Sequence, residues 1–143
     1  MIGQFQAQVV SGRRIAVPKH FRKELGGTFI IARWYEECTV LVSQRKWDAL
    51  LSRLRSGDSA ITRSVRDTDR FVMAGAFEVS PDSQGRIVVP KILSEHARID
   101  KECVFIGLGE RAELWDERKW MVKEKLLEKS AGELLEKVAQ DAR

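Results

Sequence analysis

The chain of 143 residues has little of what usually builds a reactive site: two cysteines, two histidines and three prolines. Cys38 and Cys103 stand apart with no CxxC between them, and His20 and His96 lack ligand spacing. A structural zinc site takes four ligands at close, paired spacings, so no metal is expected and the thiols read as free and buried, in keeping with a reducing compartment. Nothing resembles a Walker loop, a paired-carboxylate site, a nucleophile elbow or an HExxH helix. Catalytic residues, cofactors and a small-molecule substrate are therefore not expected, and Arg66, Asp67, Asp69 and Arg70 read as a salt-bridged helix face. No run approaches the roughly twenty apolar residues that cross a bilayer, and Met-Ile-Gly-Gln-Phe-Gln lacks a signal peptide's basic start and apolar stretch. The expectation is a cytoplasmic globular protein with no membrane partner, in line with 43% hydrophobic and 32% charged residues.

What the chain does have is internal repetition. Arg14-Ile-Ala-Val-Pro-Lys19 returns as Arg86-Ile-Val-Val-Pro-Lys91 at an offset of 86 minus 14, or 72 residues. Phe5 matches Phe77 at that offset, and Arg45-Lys46-Trp47 recurs as Arg118-Lys119-Trp120 at 73, so one residue was gained in between. A unit of about seventy residues alone would bury too little surface for comfortable stability, so the two copies are expected to share a core. The boundaries implied are 1–56 for the first unit, 57–73 for a partly helical connection, 74–120 for the second unit and 121–143 for a C-terminal helix.

Local patterning fills in each unit. Gln4 to Val10 reads as a strand with Phe5, Ala7 and Val9 on one face; Ser11-Gly12 breaks it, and Ile15 to Val17 resumes extended structure. Pro18, which has no N–H, stops the pairing and opens a short helix to Leu25, ended by Gly26-Gly27. Phe29 to Ala32 and Cys38 to Val42 read as a hairpin around Arg33-Trp34-Tyr35-Glu36-Glu37. At its tip, Trp34 and Tyr35 could touch a neighbouring subunit or a base, and the subunit is favoured. Ser43 is expected to cap a helix with Trp47, Leu50, Leu51 and Leu54 on one face. The second copy repeats the plan, with Asp116 capping a long helix whose Trp120, Leu126, Leu127, Leu134, Leu135 and Val138 form a broken apolar stripe for core or partner contact.

The net charge is only +4, but its distribution is uneven. Between Ser11 and Lys23 stand Arg13, Arg14, Lys19, Arg22 and Lys23 with no acid among them. In the second copy, Asp82-x-x-Gly85-Arg86 has the makings of a turn: Asp accepts nearby backbone N–H bonds and Gly supplies positive φ. An arginine held there can bond phosphate, or guanine O6 and N7, through parallel donors. The plainer alternative is that Asp82 and Arg86 simply pair and stabilise a surface turn.

Gly85-Arg86-Ile87-Val88-Val89-Pro90, preceded by Asp82 and doubled in one chain, resembles the MraZ family. The Trp115-Asp116 and Trp120 pattern and Phe21-Arg22 after Val17-Pro18-Lys19 are similar to it as well. The resemblance spans nearly the whole chain. It implies an α+β fold of two tandem SpoVT/AbrB-like, swapped-hairpin units sharing one intertwined β-barrel with flanking helices. It further implies a ring-like homo-oligomer, nucleoid-associated, that binds double-stranded DNA at short G-rich direct repeats upstream of its own division and cell-wall operon and represses it. On the family's pattern the DNA-contacting residues would be Arg86 and Arg14, with Arg13, Lys19 and Lys91 nearby and Asp82, Gly85 and Gly12 shaping the turns. The rival reading is an AbrB-like antitoxin or interaction module whose C-terminal helix grips a protein partner.

The first copy departs from the pattern. Counting back from Val-Pro, Val10 stands where the second copy has Asp82, and Arg13 where it has Gly85. With glycine moved to Gly12, either Arg13 or Arg14 could take the motif arginine's position. The change could strengthen phosphate attraction with less base selection, or it could misplace Arg14; the lack of nearby acids favours the first.

Overall fold

The computed structural model describes residues 1–57 and 61–142; residues 58–60 of the expected connection and 143 of the C-terminal span lie outside the described residues. In chain order the elements are β1 (Ile2–Gln8), β2 (Arg14–Ala16), α1 (Lys19–Leu25), β3 (Phe29–Arg33), a 3-10 turn (Tyr35–Glu37), β4 (Thr39–Ser43), α2 (Gln44–Leu54), α3 (Arg63–Met73), β5 (Ala76–Val79), β6 (Arg86–Val88), α4 (Lys91–His96), β7 (Glu102–Leu108), β8 (Arg111–Asp116) and α5 (Glu117–Asp141).

The hairpins β3–β4 and β7–β8 meet along β4 and β8 to form the middle of a six-stranded sheet, ordered β1-β7-β8-β4-β3-β5. Each copy's lead-in strand crosses to the other copy's hairpin: β1 pairs β7 with Phe5 opposite Phe105, and β5 pairs β3 with Phe77 opposite Ile31. The remaining strands, β2 and β6, pair only with each other. This corrects the expected intertwined β-barrel. The large sheet is open, with β1 and β5 at its two edges, and the β2–β6 ribbon is a separate two-stranded sheet rather than the segment that would close it. Pro18 and Pro90, lacking N–H groups, follow one residue after each ribbon strand, so three residues are left for pairing on either side.

The two faces of the sheet carry separate cores. On one, Ile15, Val17, Ile87 and Val89 from the ribbon and Phe21, Leu25 and Leu93 from α1 and α4 pack against Phe29, Ile31, Leu41, Phe105 and Leu114. On the other, Ile30, Ala32, Val40, Val42, Val104 and Ile106 meet Leu50, Leu51 and Val72, with Trp47 and Trp120 packed alongside. Strands buried on both sides explain why Phe29 to Ala32 is a continuous apolar run and Cys38 to Val42 is one broken only by the buried Thr39.

Local details sharpen three of the expectations. Ser43 occupies the N-cap position of α2 but its side chain makes no capping bond, whereas Asp116 accepts from the Arg118 amide at 3.2 Å and from Asp100 at 3.1 Å. Trp34 is buried in its own chain, whereas Tyr35, 5.1 Å from the Phe71 ring, remains exposed. Arg33 fixes that contact, with its guanidinium 4.9 Å from the Phe71 ring and its Nε donating to the Phe71 carbonyl at 2.6 Å. Finally, α5 buries no residue; Trp120 docks its start by donating Nε1 to Gln4 Oε1 at 3.1 Å, while Leu126, Leu135 and Val138 are exposed.

Candidate nucleic-acid interface

The ribbon's register decides which side chains share a face. Arg14 lies opposite Val88, Ile15 opposite Ile87 and Ala16 opposite Arg86. Opposed residues in an antiparallel pair point the same way and neighbours along a strand point oppositely. Ile15 and Ile87 therefore enter the core together, at 0% and 1% exposure, while Arg14, Ala16, Arg86 and Val88 cover the outer face. The two arginines sit diagonally on that face. The register also resolves the position left open above, because Arg14 and Arg86 exchange places under the symmetry that pairs Ile15 with Ile87.

The turns that lead into the ribbon differ. In the second, the Asp82 amide donates to the Arg86 carbonyl at 2.8 Å and Gly85, at φ 76°, returns an amide to the Asp82 carbonyl at 2.9 Å. Asp82 Oδ1 accepts from the Gln84 and Arg86 amides at 2.9 and 3.0 Å, and Oδ2 accepts from Arg86 Nε at 3.1 Å. The Arg86 amide contributes most to holding this carboxyl below its ordinary value, and the Gln84 amide and Arg86 guanidinium add to it. In the first turn, Val10 and Arg14 bridge through backbone bonds of 2.9 and 3.3 Å, with Gly12 at φ 79° and Arg13 at φ 57°. Among the described residues Arg14 has no carboxylate partner; its Nη1 donates to the Ser11 carbonyl at 3.3 Å.

Arg13 is exposed, like Arg14, but its side chain folds back onto the other strand of the ribbon. Its Nε donates to the Val89 carbonyl at 3.0 Å, and its own carbonyl accepts from the Val89 amide at 2.9 Å. At the matching place in the other half, the Val17 amide donates to the Gly85 carbonyl at 3.0 Å, but the Val17 carbonyl accepts from Arg22 Nε, at 3.0 Å, on α1. In the sequence Arg22 stood out as one charge of a basic run and as part of the Phe21-Arg22 resemblance, with no role of its own. The signal that could have marked it is the pair of mismatches at the same offset, Arg22 against Ser94 and Arg13 against Gly85.

Lys19 and Lys91 are the first residues of α1 and α4, exposed beside the ribbon, and Lys91 Nζ lies 3.9 Å from Glu95. Lys19, His20, Arg22 and Lys23 line a shallow open depression on α1. His20 packs edge-on against Phe5 and Phe21, each at 4.7 Å, so it is part of the core margin. No group of three or more His, Cys, Asp or Glu side chains among the described residues could hold a metal ion. No helix among them is long and apolar enough to cross a membrane.

Fold and site together define a duplicated α+β protein that presents two arginines on a short, core-anchored β-ribbon. The comparisons make this specific. Residues 72–142 match the family model described as "MraZ protein, putative antitoxin-like". The chain is 34% identical over 120 residues to the transcriptional regulator MraZ of Caldanaerobacter subterraneus subsp. tengcongensis, covering 84% of this chain and 83% of that one. It is 38% identical over 118 residues to that of Acetivibrio thermocellus, covering 82% of each, and 38% identical over 120 residues to that of Syntrophomonas wolfei, covering 83% and 82%. The solution structure of PHS018 from Pyrococcus horikoshii superposes with a TM-score of only 0.30 at 18% identity over 79% of this chain and 86% of that one. The chain belongs to the MraZ family of transcriptional regulators.

Proposed function

We propose that the chain represses transcription by occupying short G-rich direct repeats in double-stranded DNA upstream of its own division and cell-wall operon. The observation that carries this reading is the ribbon itself: Arg14 and Arg86 share one outward face while Ile15 and Ile87 pin the other to the core. The major groove admits a two-stranded ribbon, and an arginine presented there can bond guanine O6 and N7 together. Arg86, aligned by Asp82 and Gly85, supplies base selection; Arg14 adds attraction without a competing carboxylate. Lys19 and Lys91 meet phosphates, which position the protein without reading sequence. The repeat units 1–56 and 74–120 each contribute one turn, joined by 57–73 and followed by the helix 121–143. A ring-like homo-oligomer brings several ribbons to successive repeats, and binding at one raises the effective concentration at the next. Such a protein works in the cytoplasm at the nucleoid.

Footprinting on the chain's own upstream DNA tests the reading. Evenly spaced protection is expected, lost with Arg86→Ala and weakened alike on all sequences with Lys91→Ala. Continued preference of Arg86→Ala for G-rich repeats over scrambled DNA would overturn the site.

One observation favours a second reading. Met121, Val122, Leu126, Leu135 and Val138 expose apolar surface along α5, as an antitoxin or interaction module with a protein partner on that helix would. In that case Leu126→Glu with Leu135→Glu abolishes partner binding and leaves DNA unprotected in every variant.

A further inference from the structure

The buried carbonyls of Val17 and Val89 pose the same problem twice. Each belongs to a residue 3% and 2% exposed, each precedes a proline, and neither has a backbone donor. A buried carbonyl left unpaired is costly, and both are satisfied by an arginine Nε at 3.0 Å. The guanidinium arrives by different routes. For Val17 it comes from Arg22 on α1, and it fills the space above Gly85, where an added Cβ would lie 2.6 Å from Arg22 Cζ. For Val89 the corresponding helix residue is Ser94, and Arg13, occupying the position equivalent to Gly85, supplies the guanidinium from the turn itself.

We propose that Arg22 and Arg13 are paired positioning residues: each braces one arginine turn against the other repeat unit, Arg22 holding the Asp82–Arg86 turn through Gly85 and Arg13 holding the Ser11–Arg14 turn through Val89. Neither reads DNA; they set the orientation of Arg86 and Arg14. On this proposal Arg13 acts through the orientation of Arg14 and not as a DNA contact of its own. The first turn's missing Asp-x-x-Gly pattern is compensated rather than decayed, because its extra arginine replaces the one that α4 lacks. The part concerning DNA rests on the reading under Proposed function; the part concerning the turns does not.

The test moves the guanidinium between its two routes in the full-length chain. Arg22→Ala is expected to speed amide exchange at Val17 and Gly85 by about tenfold or more, as follows from an unpaired buried carbonyl. It is also expected to lower the ratio of affinities for upstream over scrambled DNA by a similar factor. The double variant Arg22→Ser/Gly85→Arg copies the Arg13/Ser94 arrangement and is expected to restore both, as is Arg13→Gly/Ser94→Arg for the first turn. Thermal melts run beside these measurements separate bracing from general stability, because a merely structural arginine would change the melt and leave the affinity ratio alone. Unchanged exchange in Arg22→Ala, or no recovery in a double variant that melts like the parent, overturns the brace. If the parent chain itself does not distinguish the two DNAs, the functional reading fails, and the exchange measurements still decide the brace.

Discussion

Replacing Ile15 and Ile87 by alanine, singly and together, measures how firmly the ribbon is anchored. Both side chains are essentially inaccessible and face one another directly across the β2–β6 pair. Truncating a buried isoleucine to alanine removes transferable apolar surface and leaves a partly collapsed cavity, costing about 2–5 kcal/mol, whereas Ile→Val costs about 0.5–1.5 kcal/mol. Because the two share one site, the double variant is expected to depart from additivity by about 0.5–3 kcal/mol. Urea unfolding followed by tryptophan fluorescence, at one fixed protein concentration, gives all four corners of the cycle. Arg86→Ala, one residue along the same strand, is expected to melt within about 1 kcal/mol of the parent, because it removes only a solvent-accessible ion pair with Asp82. A cost below about 1 kcal/mol for Ile87→Ala, or strict additivity with Ile15→Ala, would refute the anchoring of the ribbon.

Two further outcomes follow from single groups. The Asp82 carboxyl is held below its ordinary value, so its contribution to the turn is fully present at neutral pH and is lost as pH falls through that lowered value; Asp82→Asn removes this acid dependence, as amide exchange at Gln84 and Arg86 would show. Burial pushes the Cys103 thiol up to about 12 and raises that of Cys38 as well, so neither is expected to react with a thiol reagent at neutral pH until the chain unfolds, which mass measurement during a urea titration checks.

Much of this architecture was legible along the chain. The offset between Arg14 and Arg86 gave the duplication, and Pro18, Gly26 and Gly85 punctuated it, because a proline without an N–H and a glycine at positive φ act on their immediate neighbours. The stripe Trp47, Leu50, Leu51 and Leu54 predicted the buried side of α2, and it packs there. Ser43 misled because a capping residue type does not ensure a capping bond. The burial of Trp34 and the contact of Tyr35 with Phe71 were not legible, because Phe71 comes from α3, more than thirty residues further on. For the arginines the sequence showed five basic residues near a turn, but a long side chain can reach in many directions and periodicity says nothing about which.

By itself, then, the sequence determined that there are two copies, the order of their strands and helices, and that their turns are unequal, while β1 runs over Ile2–Gln8 and not Gln4 to Val10. These are short-range properties, set by backbone restrictions and the period of apolar residues. Only the tertiary structure decided that β1 and β5 end at the two edges of an open sheet, that the ribbon stands apart with both arginines on one face, and that Arg13 bonds back to the Val89 carbonyl while Arg14 bonds within its own turn. Strand pairing and the path of a guanidinium depend on partners supplied by the other copy, such as Val89 for Arg13 and Gly85 for Arg22, which no local stretch of sequence contains.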